Sequence, residues 1–400
     1  MDLWQIGDWV ELLLRWVHVI AGIAWIGSSF YFIALDAGLK KNDMLDPGVG
    51  GEAWQVHGGG FYRIQKYMVA PSFLPNELTW FKWEAYSTWI FGFALLVVVY
   101  YSNPDLYLID RSVADIGSAN AVIIALLSLP ISWLIYDSIC RSALGRNPAR
   151  LSIAGFVLLV VAIWGLTHLF SGRGAMMQIG ALVGSIMVAN VFFVIIPNQK
   201  KIIAALLLGE KANPTLGLQG KQRSLHNNYL TLPVVFLMIS NHYPFLSSGP
   251  SSWLIVSGVF IIGFLVRHFF NLKHSGRAPQ WWLLPLASLV TLALMISTTS
   301  FVRGTGAASE TATPVDFSEV QRIVSTRCQV CHSAVPRFQG LSQPPKGVMF
   351  DSPAEIATLA PQIYVQAVAS HAMPLNNLTE ITDDERRKLA IWISSGAKLP

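Results

Sequence analysis

Apolar stretches of about 20 residues recur along this chain, each long enough to cross a hydrocarbon layer of roughly 30 Å. Their bounds predict eight spanning helices, at 9–36, 84–101, 118–140, 151–171, 175–197, 226–244, 251–272 and 280–301. The pattern then breaks. Residues 302–315 are small and polar and close on Thr313-Pro314, which reads as a flexible linker and a domain boundary. The segment from 316 to 400 has the polar character of a small water-exposed domain. The expected fold is therefore all-α, with a polytopic helical bundle over 1–301 and a compact tail domain over 316–400.

Composition sharpens this picture. At 53% hydrophobic and 13% charged, with a mean hydropathy of +0.47, the chain is no water-soluble globule. The first stretch reads as a span and uncleaved insertion signal, since it is too long for a cleavable one and has no A-x-A-like site. Three cysteines give no disulfide framework. The net charge of +5 points away from nucleic acid once its placement is seen. Lys40, Lys41, Arg63, Lys66 and Lys82 follow span 1, Arg141, Arg146 and Arg150 follow span 3, and Lys200, Lys201, Lys211, Lys221 and Arg223 follow span 5. Lys273 and Arg277 follow span 7, while 102–117 holds only Arg111 and 245–250 no cation. The positive-inside rule puts the cation-rich loops in the cytoplasm and both termini outside.

Three further patterns carry expectations. The connection 37–83 is aromatic-rich and should be interfacial or re-entrant structure packed on the bundle. Gly180 and Gly184 form a G-x-x-x-G suited to helix packing. Asp316 to Glu319 and Thr382 to Glu385 both read as capping boxes.

The tail carries the strongest chemical signal, Cys328-Gln329-Val330-Cys331-His332. C-x-x-C-H is the spacing of c-type haem attachment, with two thiols for thioether bonds and an imidazole for iron. Zinc would need two more soft ligands, and the remaining cysteine, Cys140, is far off in an apolar stretch. Met373, in Ala372-Met373-Pro374-Leu375, is the expected sixth ligand, with His371 as its rival. His/Met ligation raises the reduction potential, as suits an electron acceptor. One covalent haem c and a small class I-like cytochrome c domain follow, and the motif also places this tail on the outer, periplasmic side of an inner membrane.

Ionisable and amide groups at membrane depth usually face a cavity. Glu84, Asp137, Asn190, His226, Asn227, Asn228, Arg267, His268 and Asn271 fall in the predicted cytoplasmic half, and His18, His168, Asn241 and His242 in the outer half. An arginine, two histidines and several amides suit a planar anionic heterocycle with many hydrogen-bonding edges. His18, four residues before Gly22, is also placed to ligate an additional b-type haem. His57-Gly58-Gly59-Gly60 resembles a lipase oxyanion loop, but no G-x-S-x-G elbow accompanies it, and a hydrolase is rejected. The glycines would instead let backbone amides approach an anion.

Several strings resemble the bacterial integral-membrane urate oxidases (urate hydroxylases) with a fused C-terminal cytochrome c. They are Trp54-Gln55-Val56-His57-Gly58-Gly59-Gly60-Phe61-Tyr62 and Leu78-Thr79-Trp80-Phe81-Lys82-Trp83-Glu84-Ala85-Tyr86. His226-Asn227-Asn228-Tyr229-Leu230-Thr231-Leu232-Pro233, Ser240-Asn241-His242-Tyr243-Pro244 and the tail motif complete the likeness. The resemblance implies oxidation of urate to 5-hydroxyisourate in purine breakdown, with electrons passing to haem c and on to the respiratory chain rather than forming hydrogen peroxide. The outside acceptor would be a soluble or membrane cytochrome or a terminal oxidase. Our own residue reading expects urate among His226, Asn227, Asn228, Arg267 and His268, with Glu84 or a neutral histidine taking a proton and His57 capping the site. The alternative is a non-catalytic membrane anchor holding a cytochrome for electron transfer.

Overall fold

The computed structural model describes residues 3–71, 73–75, 77–247, 251–306, 314–338, 341 and 343–399. Helix α1 (Leu3–Gly38) leads into a hairpin of β1 (Val49–His57) and β2 (Gly60–Tyr67). Then come α2 (Trp83–Leu96), prolonged by a π turn over Val97–Tyr101, α3 (Pro104–Tyr107), α4 (Ser118–Arg141) and α5 (Pro148–Thr167). α6 (Gly172–Ala189) passes through a π turn at Asn190–Ile195 into α7 (Ile196–Leu207), followed by α8 (Pro214–Ser240), α9 (Ser252–His274) and α10 (Leu283–Gly306).

Six helical stretches are long and apolar enough to cross a membrane among the described residues: Ile6–Gly38, Trp83–Tyr101, Ser118–Arg141, Pro148–Thr167, Gly172–Leu207 and Ser252–His274. The other two expected spans are helices as well, but fall short of that criterion. Over the residues of α10 whose side chains are described, the apolar stretch is Leu283–Thr298. α8 begins twelve residues before the expected 226, taking in Lys221 and Arg223. Its polar groups are not solvated: Arg223, Asn227, Asn228 and Thr231 are all buried.

Helix starts follow local chemistry. Asn147 Oδ1 accepts from the amides of Ala149 and Arg150 at 3.0 and 3.1 Å, with Pro148 next in the chain. Asn213 does the same for Thr215 at 2.9 Å ahead of Pro214. A side-chain acceptor meets otherwise orphaned amides, and proline lacks the N–H that would need a partner there. The core gathers Leu129, Ile163, Phe170, Met176, Ile179, Leu237 and Val256, with α6 at its centre. Gly180 packs on Leu237, where a Cβ would meet Leu237 Cβ at 3.3 Å, whereas Gly184 faces open space. Only half of the G-x-x-x-G is therefore a packing contact. A closer approach is Gly263 of α9 to Pro233 of α8, where a Cβ would lie 2.7 Å from the ring.

The expected all-α class needs one correction, the hairpin inside 37–83. Gly58 and Gly59 have φ of +59° and +79° and turn β1 into β2 in register Val56↔Phe61 and His57↔Gly60. Two successive positive φ values suit glycine, so the His-Gly-Gly-Gly run is a hairpin turn rather than an anion loop. The hairpin lies along the end of α1: Tyr31 donates to Gln55 Oε1 at 2.8 Å and Lys66 to Asp36 Oδ1 at 2.7 Å.

Of the expected linker, residues 302–306 continue α10, and 307–313 lie outside the described residues. The tail has α11 (Phe317–Arg327), α12 (Pro353–Thr358), α13 (Ala360–Ile363) and α14 (Asp383–Ser394) around Val320, Ile323, Val324, Ile363, Val368, Leu389 and Trp392. Thr382 and Glu385 form the expected capping box, at 3.2 and 2.9 Å. Asp316 does not: its carboxylate accepts from the Ser318 hydroxyl, and Glu319 pairs with Arg322 and Lys388. The stronger charge partners win. A second box forms instead at Ser352 and Glu355. Asn376 Nδ2 donates to the Leu106 carbonyl at 2.7 Å, holding the tail against the bundle.

Candidate functional site

The attachment motif begins at the end of α11, where the Cys328 amide donates to the Val324 carbonyl at 2.9 Å. The next turn folds back, with the His332 amide donating to the Cys328 carbonyl at 2.9 Å. His332 Nδ1 lies 3.1 Å from the Val348 carbonyl. That contact fixes the tautomer, because Nδ1 carries the proton and Nε2 keeps a free lone pair. Burial pushes the Cys328 thiol up to about 12 and raises Cys331 as well. Met373 packs against the same apolar core as Cys328, while its rival His371 lines a cavity beside the bundle. Two thiols, an imidazole with an available nitrogen and a thioether fit a c-type haem. Among the described residues no group of three or more His, Cys, Asp or Glu could hold a metal, so zinc gains no support.

Inside the bundle, the polar residues expected to form one cavity sort into two networks on α8. On one side, Tyr136 of α4 meets His226 Nδ1 at 2.7 Å, and Asn190 Nδ2 donates to Asn227 Oδ1 at 3.0 Å. Asn190 sits at the start of its π turn. Arg223 donates to Asp137 Oδ1 at 2.7 Å, with Arg141 on the other carboxylate oxygen at 2.5 Å. On the other side, Arg267 Nε donates to Asn228 Oδ1 and Arg267 Nη2 to Asn271 Oδ1, both at 3.2 Å. Asn271 Nδ2 adds a 3.0 Å bond to Asn228 Oδ1, and Tyr229 meets His268 Nδ1 at 2.8 Å. The Arg267 guanidinium lies 3.8 Å from the ring centre of Phe30 on α1.

Four buried atoms in these networks have no protein partner: Asn190 Oδ1, Asn228 Nδ2 and Arg223 Nε and Nη1. Buried polar atoms are nearly always satisfied, so such orphans point to a polar ligand or water. Tyr136 and Arg223 are the residues that sequence reasoning missed. Arg223 reads as a loop cation until the true start of α8 is known.

Other expected residues stay apart. Glu84 lies in the first turn of α2, partly buried, and no side-chain hydrogen bond joins it to either network. His57 is exposed at the hairpin tip, and no hydrogen bond joins the hairpin to α8 or α9 among the described residues. His18 Nδ1 meets the Thr88 carbonyl at 2.8 Å, and its ring lies where a Cβ on Gly92 would be 2.5 Å away. That is close helix packing. His168 Nδ1 meets the Trp164 carbonyl at 2.7 Å.

At the end of the bundle that meets the tail a cavity of about 580 Å³ opens. Its bundle wall includes Asp110, His168 and Arg173, and its tail wall His371, Asn377 and Arg386. Arg386 is buried, and its Nη1 donates to the Met373 carbonyl at 2.9 Å and also to that of Ala367.

The profile of the family described as Urate oxidase N-terminal matches residues 4–299. No curated protein and no solved structure matches the chain.

Proposed function

We propose, on the premise that this chain belongs to the urate oxidase N-terminal family, that it oxidises urate at a membrane and passes the electrons to a haem c on its own tail. One observation carries the reading. The family match ends at 299, and the domain that follows brings Cys328, His332 and Met373 around one apolar core. Substrate chemistry and an electron acceptor thus share one polypeptide. The placement that goes with it is an inner membrane, eight spans and a periplasmic tail.

The reaction balances without oxygen. Urate monoanion and water give 5-hydroxyisourate, one proton and two electrons. Cys328 and Cys331 would hold a haem c and His332 and Met373 would ligate it; such a group would supply one-electron acceptance, so a turnover would need two transfers. A soluble or membrane cytochrome or a terminal oxidase then removes the electrons.

Within the bundle, His226, Asn227, Asn228, Arg267 and His268 offer the purine a cation together with amide donors and acceptors. The orphan atoms Asn190 Oδ1 and Asn228 Nδ2 support this, since a purine trione presents both N–H donors and carbonyl acceptors. Arg223, with two unsatisfied N–H groups, adds a second cation to the set. Urate added anaerobically to purified protein should produce the reduced α band of a c-type haem. No reduction at any pH leaves the membrane-anchored electron carrier as the reading.

A further inference from the structure

The polar networks of the bundle are remote from the tail. Arg267 lies 15 residues along α9 from Ser252, which lines the cavity beside the tail, a separation of about 22 Å at 1.5 Å per residue. The cavity, by contrast, touches the loop that carries Met373, because His371 and Ala372 form part of its wall. At about 580 Å³ it lies within the ~300–1,000 Å³ range of small-molecule sites.

Its lining is mixed in a specific way. Arg173, partly exposed in the first turn of α6, supplies a cation from the bundle. Asn377 supplies an amide from the tail, and Asp110 a carboxylate from the loop after α3. A purine trione monoanion needs this combination, a cation for its delocalised charge and acceptors for its ring N–H groups. A simple inorganic anion has no use for Asp110. Arg386 ties the cavity to the redox loop, since the guanidinium that lines it also grips the Met373 carbonyl.

We propose that this cleft between bundle and tail binds the purine monoanion beside the Met373 loop while it loses its electrons. The networks on α8 and α9 then form an uptake site on the cytoplasmic half. This rests on the urate reading above. Arg173 is the group that holds the anion, and Arg386 is a positioning residue acting through Met373.

The test uses the full-length haem-loaded protein and its Arg173→Gln and Val113→Trp variants. Val113 is 42% exposed on the rim, so tryptophan there fills the cleft without entering a core. Both should raise the urate concentration for half-maximal haem reduction by about ten-fold or more, the scale of one charge-assisted hydrogen bond. Equilibrium dialysis with labelled urate should show one fewer site per chain, while haem spectrum and midpoint potential stay unchanged. Wild-type reduction and binding in both variants overturn the proposal. Should urate fail to reduce the wild-type haem, the urate reading falls on its own. Dialysis then decides the cleft: binding lost in Arg173→Gln upholds an anion site, and unchanged binding removes it.

Discussion

Arg223 of α8 and Asp137 of α4 form an ion pair of 2.7 Å, with side-chain exposures of only 4% and 13%. It ties two helices through two side chains that are largely shielded from solvent. Removing one partner strands the other, which typically costs about 3–5 kcal/mol, whereas replacing both with apolar residues is often nearly neutral. Asp137→Asn should therefore lower the thermal midpoint in detergent, and Asp137→Leu with Arg223→Met should recover most of the loss. Tryptophan fluorescence on heating measures this. Equal losses in the single and paired variants would show that the contact is not what holds the helices.

The two helix starts of the tail differ in a way that mutation can read. Thr382 caps α14 through a complete box, whereas the Asp316 carboxylate accepts no capping hydrogen bond from α11. Thr382→Ala should cost the tail about 1 kcal/mol, lowering its transition by roughly 4–8 °C. Asp316→Ala should cost clearly less. Differential scanning calorimetry of the full chain separates the outcomes, and matching shifts would refute the assignment.

Acid stability of the tail should depend on Glu319. Hydrogen bonds from Arg322 and Lys388 hold its carboxyl at about 2, below the ordinary 4.5. A carboxylate depressed by folding stabilises above its unfolded value and loses that contribution as the pH falls. The loss should therefore fall between pH 4.5 and 2. Glu319→Gln should be less stable than the wild type by a constant amount above pH 4.5, and the two curves should converge as the pH falls toward 2, as followed by circular dichroism during acid titration. A wild-type curve from the variant would remove Glu319 from this role.

Hydrophobic patterning found a helix at each of the eight expected segments, six of them long and apolar enough to cross a membrane among the described residues, because apolar side chains raise local hydropathy whichever way they face. It misplaced the start of α8, where Arg223, Asn227 and Asn228 are buried against partners from α4, from α6 with its π turn, and from α9 that no single window contains. The hairpin was legible in principle, since Gly58-Gly59 sits between the pairing residues Val56 and Phe61. Its aromatic content masked that alternation. The tail motif stood out because Cys328, Cys331 and His332 lie within five residues, whatever they hold. The cavity beside the tail could not be read, as Arg173 and Arg386 lie more than two hundred residues apart and meet only when the tail docks.

That docking, through Asn376 and the Leu106 carbonyl, has a kinetic consequence. On the proposed function donor and acceptor travel as one molecule, so electron passage between them would be unimolecular, with an effective concentration on the order of millimolar or more. Dilution leaves this step untouched. Collision frequency would then matter only where the tail meets an outside oxidant, which would make reoxidation the part of the proposed cycle that senses the abundance of other proteins.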